Sequence, residues 1–237
     1  MIGRSVRLSR RNIDALVTSL MLPILLMLLF GGAIGTGTSC VNYVVPGVLL
    51  LCAGFGAAST AVSVCQDMTG GIVDRLRSLD VPPPVFLTGH VVTSVVRNAV
   101  STILVLGVAF GIGFRPDAGP AAWLAAAGIL LAFILSISWL AAAAGLLARS
   151  AEAASAVTFL VMFLPYPSST FVPIHTMPGW LQGFATNQPI TPVVETLRGL
   201  LLGTPVGASP WHALAWCGGI LLASVAVSGA AFRRRTA

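Results

Sequence analysis

Seven carboxylates, three histidines, four cysteines and thirteen arginines are the ionisable and nucleophilic groups of this 237-residue chain. None is spaced for making or breaking bonds. A phosphate-cradling G-x-x-x-x-G-K-[ST] loop is impossible, because the sequence contains no lysine. HExxH and GxSxG are absent too, so neither a zinc-hydrolase helix nor a nucleophile elbow is present. His90, His175 and His212 are scattered near the ends of apolar runs. They read as hydrogen-bonded interfacial side chains, with a metal site or proton relay as the other reading. Cys40, Cys52, Cys65 and Cys217 lack ligand spacing and read as small buried thiols. Asp14, Asp67 and Glu152 sit at the edges of apolar runs. A proton-driven pump needs a carboxylate deep in a span, and none is found there. Glu195 and Arg198, three residues apart, can pair on a helix surface. That pair would either hold the local structure or touch a substrate. The chain is not expected to hydrolyse ATP itself or to bind a cofactor or metal, so energy for any transport must come from another protein.

Glu195 and Arg198 belong to the stretch 177–203, which reads as two short helices joined at an elbow. The first starts at Pro178, in the first-turn position that suits proline, and carries Trp180, Leu181 and Phe184 on one side. Asn187, Gln188 and Pro189 break it. Thr191 is the expected N-cap of the second helix and Pro192 its first residue. Gly203 is expected to close that helix in a left-handed cap, with Pro205 just beyond. Val193, Leu197, Leu200 and Leu201 then share one face, and Glu195 and Arg198 another. Each piece is about 15 Å long, half a hydrocarbon core, so the elbow dips into a membrane edge or lies on it.

The elements around the elbow are membrane spans. The chain is 56% hydrophobic and 8% charged, against about 25% charged in soluble domains. Six spans are expected, at about 15–34, 43–65, 91–114, 121–148, 153–172 and 211–232, making residues 1–237 one all-α transmembrane domain. The first apolar run is longer than a signal-peptide core and reads as a retained span. Residues 1–14 read as a basic interfacial helix on anionic lipid. Ten arginines fall on the side of the termini: Arg4, Arg7, Arg10, Arg11, Arg75, Arg77, Arg149 and Arg233 to Arg235. Arg97 is expected to join them at the membrane border, whereas Arg115 and Arg198 lie opposite. The bias places both termini in the cytoplasm and the elbow outside. Arginines at the ends of apolar runs, not gathered on one soluble face, argue against nucleic acid as a partner.

Between the second and third spans, Gly70 to Asp80 can form a short helix. Ile72, Val73, Leu76 and Leu79 share its apolar face, Asp74, Arg77 and Ser78 lie largely opposite, and Pro82-Pro83-Pro84 ends it.

Phe171-Val172-Pro173, Met177-Pro178-x-Trp180-Leu181-Gln182, Pro189-Ile190-Thr191 and Glu195-x-x-Arg198 before Gly203 together resemble the pattern of ABC-2 type transporter permeases, nearest the daunorubicin-resistance branch of multidrug exporters. The resemblance implies a permease subunit in the cell membrane that exports an amphiphilic drug, antibiotic or lipid-like substrate. It implies a separate ATP-binding subunit, which holds the ATP and magnesium, and a second permease, identical or different. The Gly70–Asp80 segment would be the coupling helix that docks on the ATPase, through Gly71, Ile72, Asp74, Leu76, Arg77 and Leu79. Gln66 and Asp67 stand where the family often has glutamates. Substrate would pass along spans two and five, past Phe55, Ser59, Phe159, Met162 and Phe163. A membrane-embedded assembly factor, and export of a lipid or glycoconjugate, remain as alternatives.

Overall fold

The computed structural model describes residues 13–29, 38–70 and 83–236. Among them run eight α-helices: α1 (Ile13–Leu28), α2 (Thr38–Thr69), α3 (Pro83–Ile112), α4 (Pro120–Leu147), α5 (Ala151–Phe163), α6 (Gly179–Asn187), α7 (Ile190–Leu202) and α8 (Ser209–Thr236). A 3-10 turn at Ile174–Thr176 precedes α6, and no strand occurs among the described residues. The described residues are all-helical, as expected.

Four helices carry stretches long and apolar enough to cross a membrane: Cys40–Thr69, Phe86–Ile112, Pro120–Leu147 and Ser209–Ala231. Helix α1 has 16 residues and α5 has 13, about 24 and 20 Å long, against a hydrocarbon core of about 30 Å.

The expected fifth span, 153–172, is helical only to Phe163. Pro165 and Pro167 have no N–H with which to continue the ladder, and the chain turns through residues 164–171 instead. Irregular backbone at membrane depth is tolerated where protein covers it, and this turn is covered. Ser168, Ser169 and Thr170 are no more than 3% exposed. The Ser168 hydroxyl donates to the Pro165 carbonyl at 2.6 Å, and the Gln188 side-chain amide donates to the Pro167 carbonyl at 2.6 Å. Thr170 lies so close to Gly47 of α2 that a Cβ there would overlap its side chain.

Helix α2 is the axis of the bundle, touching α1, α3, α4, α5 and α7. Its approach to α4 depends on small residues. Ala57 and Ala61 of α2 and Ala141 and Gly145 of α4 are all buried, and a Cβ on Gly145 would overlap the Ala61 carbonyl. In lipid there is no hydrophobic drive between helices, so such close backbone packing is the main attraction available.

Candidate functional site

The elbow is present, but its two arms differ. Helix α6 keeps its apolar residues outside, with Trp180 80% and Phe184 53% exposed. Helix α7 is sunk between α2, α4 and α8, with Val193, Val194 and Leu197 buried. Gly203 closes α7 in the expected left-handed conformation, φ 67° and ψ 20°, which glycine adopts without strain. Pro178 is the N-cap of α6. The expected cap at Thr191 is not formed. Helix α7 starts earlier, with Pro189 as its N-cap in right-handed helical geometry. The Thr191 hydroxyl instead donates to the Ala185 carbonyl at 2.6 Å, supplying a donor to the C-terminal end of α6. Pro192 falls in the first turn of α7, where a missing N–H leaves no intrahelical bond unmade.

Arg198 is the centre of the site. Its guanidinium lies over the Tyr43 ring, 3.7 Å from the centroid. Nε and Nη2 both donate to the Tyr43 carbonyl at 3.2 Å, and Nη2 also donates to the Ser169 carbonyl at 2.7 Å. The Tyr43 hydroxyl donates to the same Ser169 carbonyl at 3.0 Å. One side chain thus ties α7 to α2 and to the covered turn after α5. Burial pushes the arginine pKa down, while Tyr43 and Glu195 push it up. Glu195 makes no ion pair with Arg198; the only ion pair among the described residues is His90–Asp67, at 3.1 Å. Arg198 therefore acts through backbone carbonyls, which the pairing rule for two charges three residues apart does not anticipate.

The residues expected along a substrate path lie on two touching helices, α2 and α5. Met162 packs against α2 at Gly54, with the position of a Cβ there 3.7 Å from Met162 Cγ. Phe159 and Phe163 are exposed, their rings 5.1 Å apart, and begin a row that continues through Tyr166 to Phe171. Phe55 and Ser59 are half-buried on α2, and the Ser59 hydroxyl donates to the Gly56 carbonyl at 2.9 Å. Gly71, Ile72, Asp74, Leu76, Arg77 and Leu79 lie outside the described residues.

Arg97 stands at the middle of helix α3. It lies eleven residues inside the apolar stretch Phe86–Ile112, about 16 Å from its start and close to its middle. The helix starts ahead of the expected span 91–114, and Phe86 and Leu87 are already buried in it. Arg97 Nη2 donates to the Gly56 carbonyl and, at 2.8 Å, to the Thr60 hydroxyl of α2. Its Nε and the neighbouring Asn98 Oδ1 are buried without partners among the described residues. Asn98 and Ser94 continue the polar contact to Ser138 of α4. A polar seam thus runs between α2 and α3, from Asp67–His90 at one end to Arg97–Thr60 in mid-helix.

No group of three or more histidine, cysteine or carboxylate side chains among the described residues could hold a metal. The geometry is that of helices tied together around an elbow and a polar seam. Its chemistry is hydrogen bonding and packing between helices.

Comparison with known proteins bears on what such an arrangement serves. Residues 1–202 match the family model for the ABC-2 type transporter. The chain is 30% identical to the daunorubicin resistance ABC transporter permease protein DrrB1 of Streptomyces coeruleorubidus, over 81% of this chain and 69% of that protein. It is 25% identical to the probable doxorubicin resistance ABC transporter permease protein DrrC of Mycobacterium tuberculosis, over 94% of this chain and 83% of that protein.

Proposed function

The chain belongs to the ABC-2 type transporter family, and from that premise we propose that it is the membrane permease of an ATP-driven exporter for an amphiphilic drug, antibiotic or lipid-like molecule. The observation that carries the reading is the family match, which runs through the elbow to Leu202. The relatives named for daunorubicin and doxorubicin resistance support the substrate class. ATP and magnesium belong to a separate ATP-binding subunit. A second permease, identical or different, completes the pathway, and substrate moves along α2 and α5 past Phe55, Ser59, Phe159, Met162 and Phe163.

In this reading the chain crosses the membrane six times, with α1 and α5 and their flanking residues completing two crossings. Both termini and the 70–82 connection are cytoplasmic, and the elbow is outside. The arginine bias supports this orientation even without Arg97, since ten arginines still fall on the side of the termini. In a background lacking native cysteines, Thr186→Cys and Ala208→Cys are expected to react with an impermeant thiol reagent in intact cells, and Ser78→Cys is not. The opposite labelling pattern refutes the orientation.

The coupling segment provides the test of function. Its apolar face needs a partner, and burying one leucine contributes about 1.5–3 kcal/mol, or one to two powers of ten in affinity. Leu76→Asp is expected to leave membrane insertion near normal, to weaken binding of the ATPase at least tenfold and to abolish substrate-stimulated ATP hydrolysis. Parental binding and transport in this variant would remove the coupling role, and failure to insert would mean that the face packs on the chain's own spans.

A further inference from the structure

We propose that the groove between α3, α4 and α7 is a binding site for one anionic phospholipid, whose acyl chain fills the groove and whose headgroup lies at Arg115. The inference does not depend on the direction of transport or on the cargo. The groove measures about 390 Å³ and its lining includes Leu197 and Leu201 from the buried face of α7. Thr102 carries the only hydroxyl among its lining residues. Ile103 and Leu131 on its walls are 68% and 51% exposed, so it opens on the outer surface of the bundle, where a membrane protein meets hydrocarbon. Its length is specific. It extends along α3 from Val95 to Leu106 and along α4 from Trp123 to Ile134, eleven helical steps on each. That is about 16 Å, against about 15 Å for half a hydrocarbon core, so the groove has the reach of one leaflet.

The end at Trp123 is the headgroup end. An indole there suits the membrane–water boundary. The Trp123 ring lies 6.3 Å from that of Phe110, and Arg115 Nη1 donates to the carbonyls of Phe110 and Phe114 at 3.2 and 3.0 Å. Those bonds hold the exposed Arg115 to the end of α3 whose Phe110 ring meets Trp123, while leaving its Nε and Nη2 donors without partners among the described residues. Asp117, two residues on, makes no ion pair with it among the described residues. A cation with spare donors, tied to the helix end next to Trp123, and an apolar groove of one-leaflet length together match a lipid phosphate above an acyl chain.

The test uses lipids brominated on their acyl chains, which quench tryptophan fluorescence on contact. A variant keeping Trp123 as its sole tryptophan is placed in phosphatidylcholine vesicles containing a minor fraction of brominated phosphatidylglycerol. Trp123 is expected to report a preference of roughly fivefold for phosphatidylglycerol over brominated phosphatidylcholine. Arg115→Gln is expected to abolish that preference and Arg115→Lys to keep it. A second variant keeping only Trp211, which is 75% exposed on α8, should show no preference. Native mass spectrometry of the unaltered chain should find a retained phosphatidylglycerol that Arg115→Gln loses. Equal quenching of Trp123 by the two lipids, or equal retention of both by the unaltered chain, overturns the proposal.

Discussion

Arg198→Ala is expected to abolish transport while the protein still inserts in the membrane. The substitution removes three hydrogen bonds from a charged donor, two to the Tyr43 carbonyl and one to the Ser169 carbonyl, and the stacking of the guanidinium on the Tyr43 ring. Hydrogen bonds to charged groups and cation–π contacts together place the loss at about 2–4 kcal/mol. The cost falls on the covered turn after α5, where a carbonyl at membrane depth has no water to turn to. Ser169 keeps the Tyr43 hydroxyl as a donor, so the fold is weakened but not dismantled. Arg198→Lys should recover only part of the loss, because an ammonium cannot reproduce the planar fork that reaches two carbonyls and stacks on a ring. Glu195→Ala should cost under about 1 kcal/mol, since Glu195 makes no ion pair among the described residues. Thermal unfolding in detergent and transport into inverted vesicles check both arms. Equal effects of the two alanine variants would show that the pair, and not the carbonyl anchor, is what matters.

Arg97→Met is expected to separate stability from transport. A guanidinium half-buried between apolar helices costs several kcal/mol in lost hydration, and replacing a buried ion by an apolar side chain of similar volume is often neutral or stabilising. The acceptors it leaves are not orphaned. The Gly56 carbonyl retains the Ser59 and Thr60 hydroxyls. The unfolding temperature should therefore stay the same or rise. Transport should fall at least tenfold, because Arg97 pins α3 to α2, and these two helices flank the segment proposed to dock on the ATPase. A variant that transports like the parent would make Arg97 dispensable, and one that fails to fold would make it a structural pin.

What the sequence made legible follows from where each signal resides. Gly203 and Pro178 act within one turn of themselves, so the end of α7 and the start of α6 could be read from residue type. The four long apolar stretches were legible because the bilayer sets their length. Thr191 misled because proline at 189 fits a helix start equally well, and the threonine hydroxyl found the end of α6 instead. The early end of α5 was written in Pro165 and Pro167, which lie inside the range expected for that span. Arg198 was singled out for the wrong partner. Its acceptors are backbone carbonyls 155 and 29 residues away, and a carbonyl is the same at every residue, so no side-chain pattern announces it. The contacts of Arg97 were hidden for the same reason, since a carbonyl and a hydroxyl on another helix leave no local pattern.

The central claim is that this chain moves its cargo only when a separate ATPase drives it. The most direct measurement is transport of a fluorescent amphiphile into proteoliposomes holding the permease with or without its ATP-binding subunit. Accumulation that requires both the subunit and ATP hydrolysis, and that Leu76→Asp abolishes, is the predicted result. Accumulation by the permease alone, or accumulation that a proton gradient drives without ATP, would contradict it.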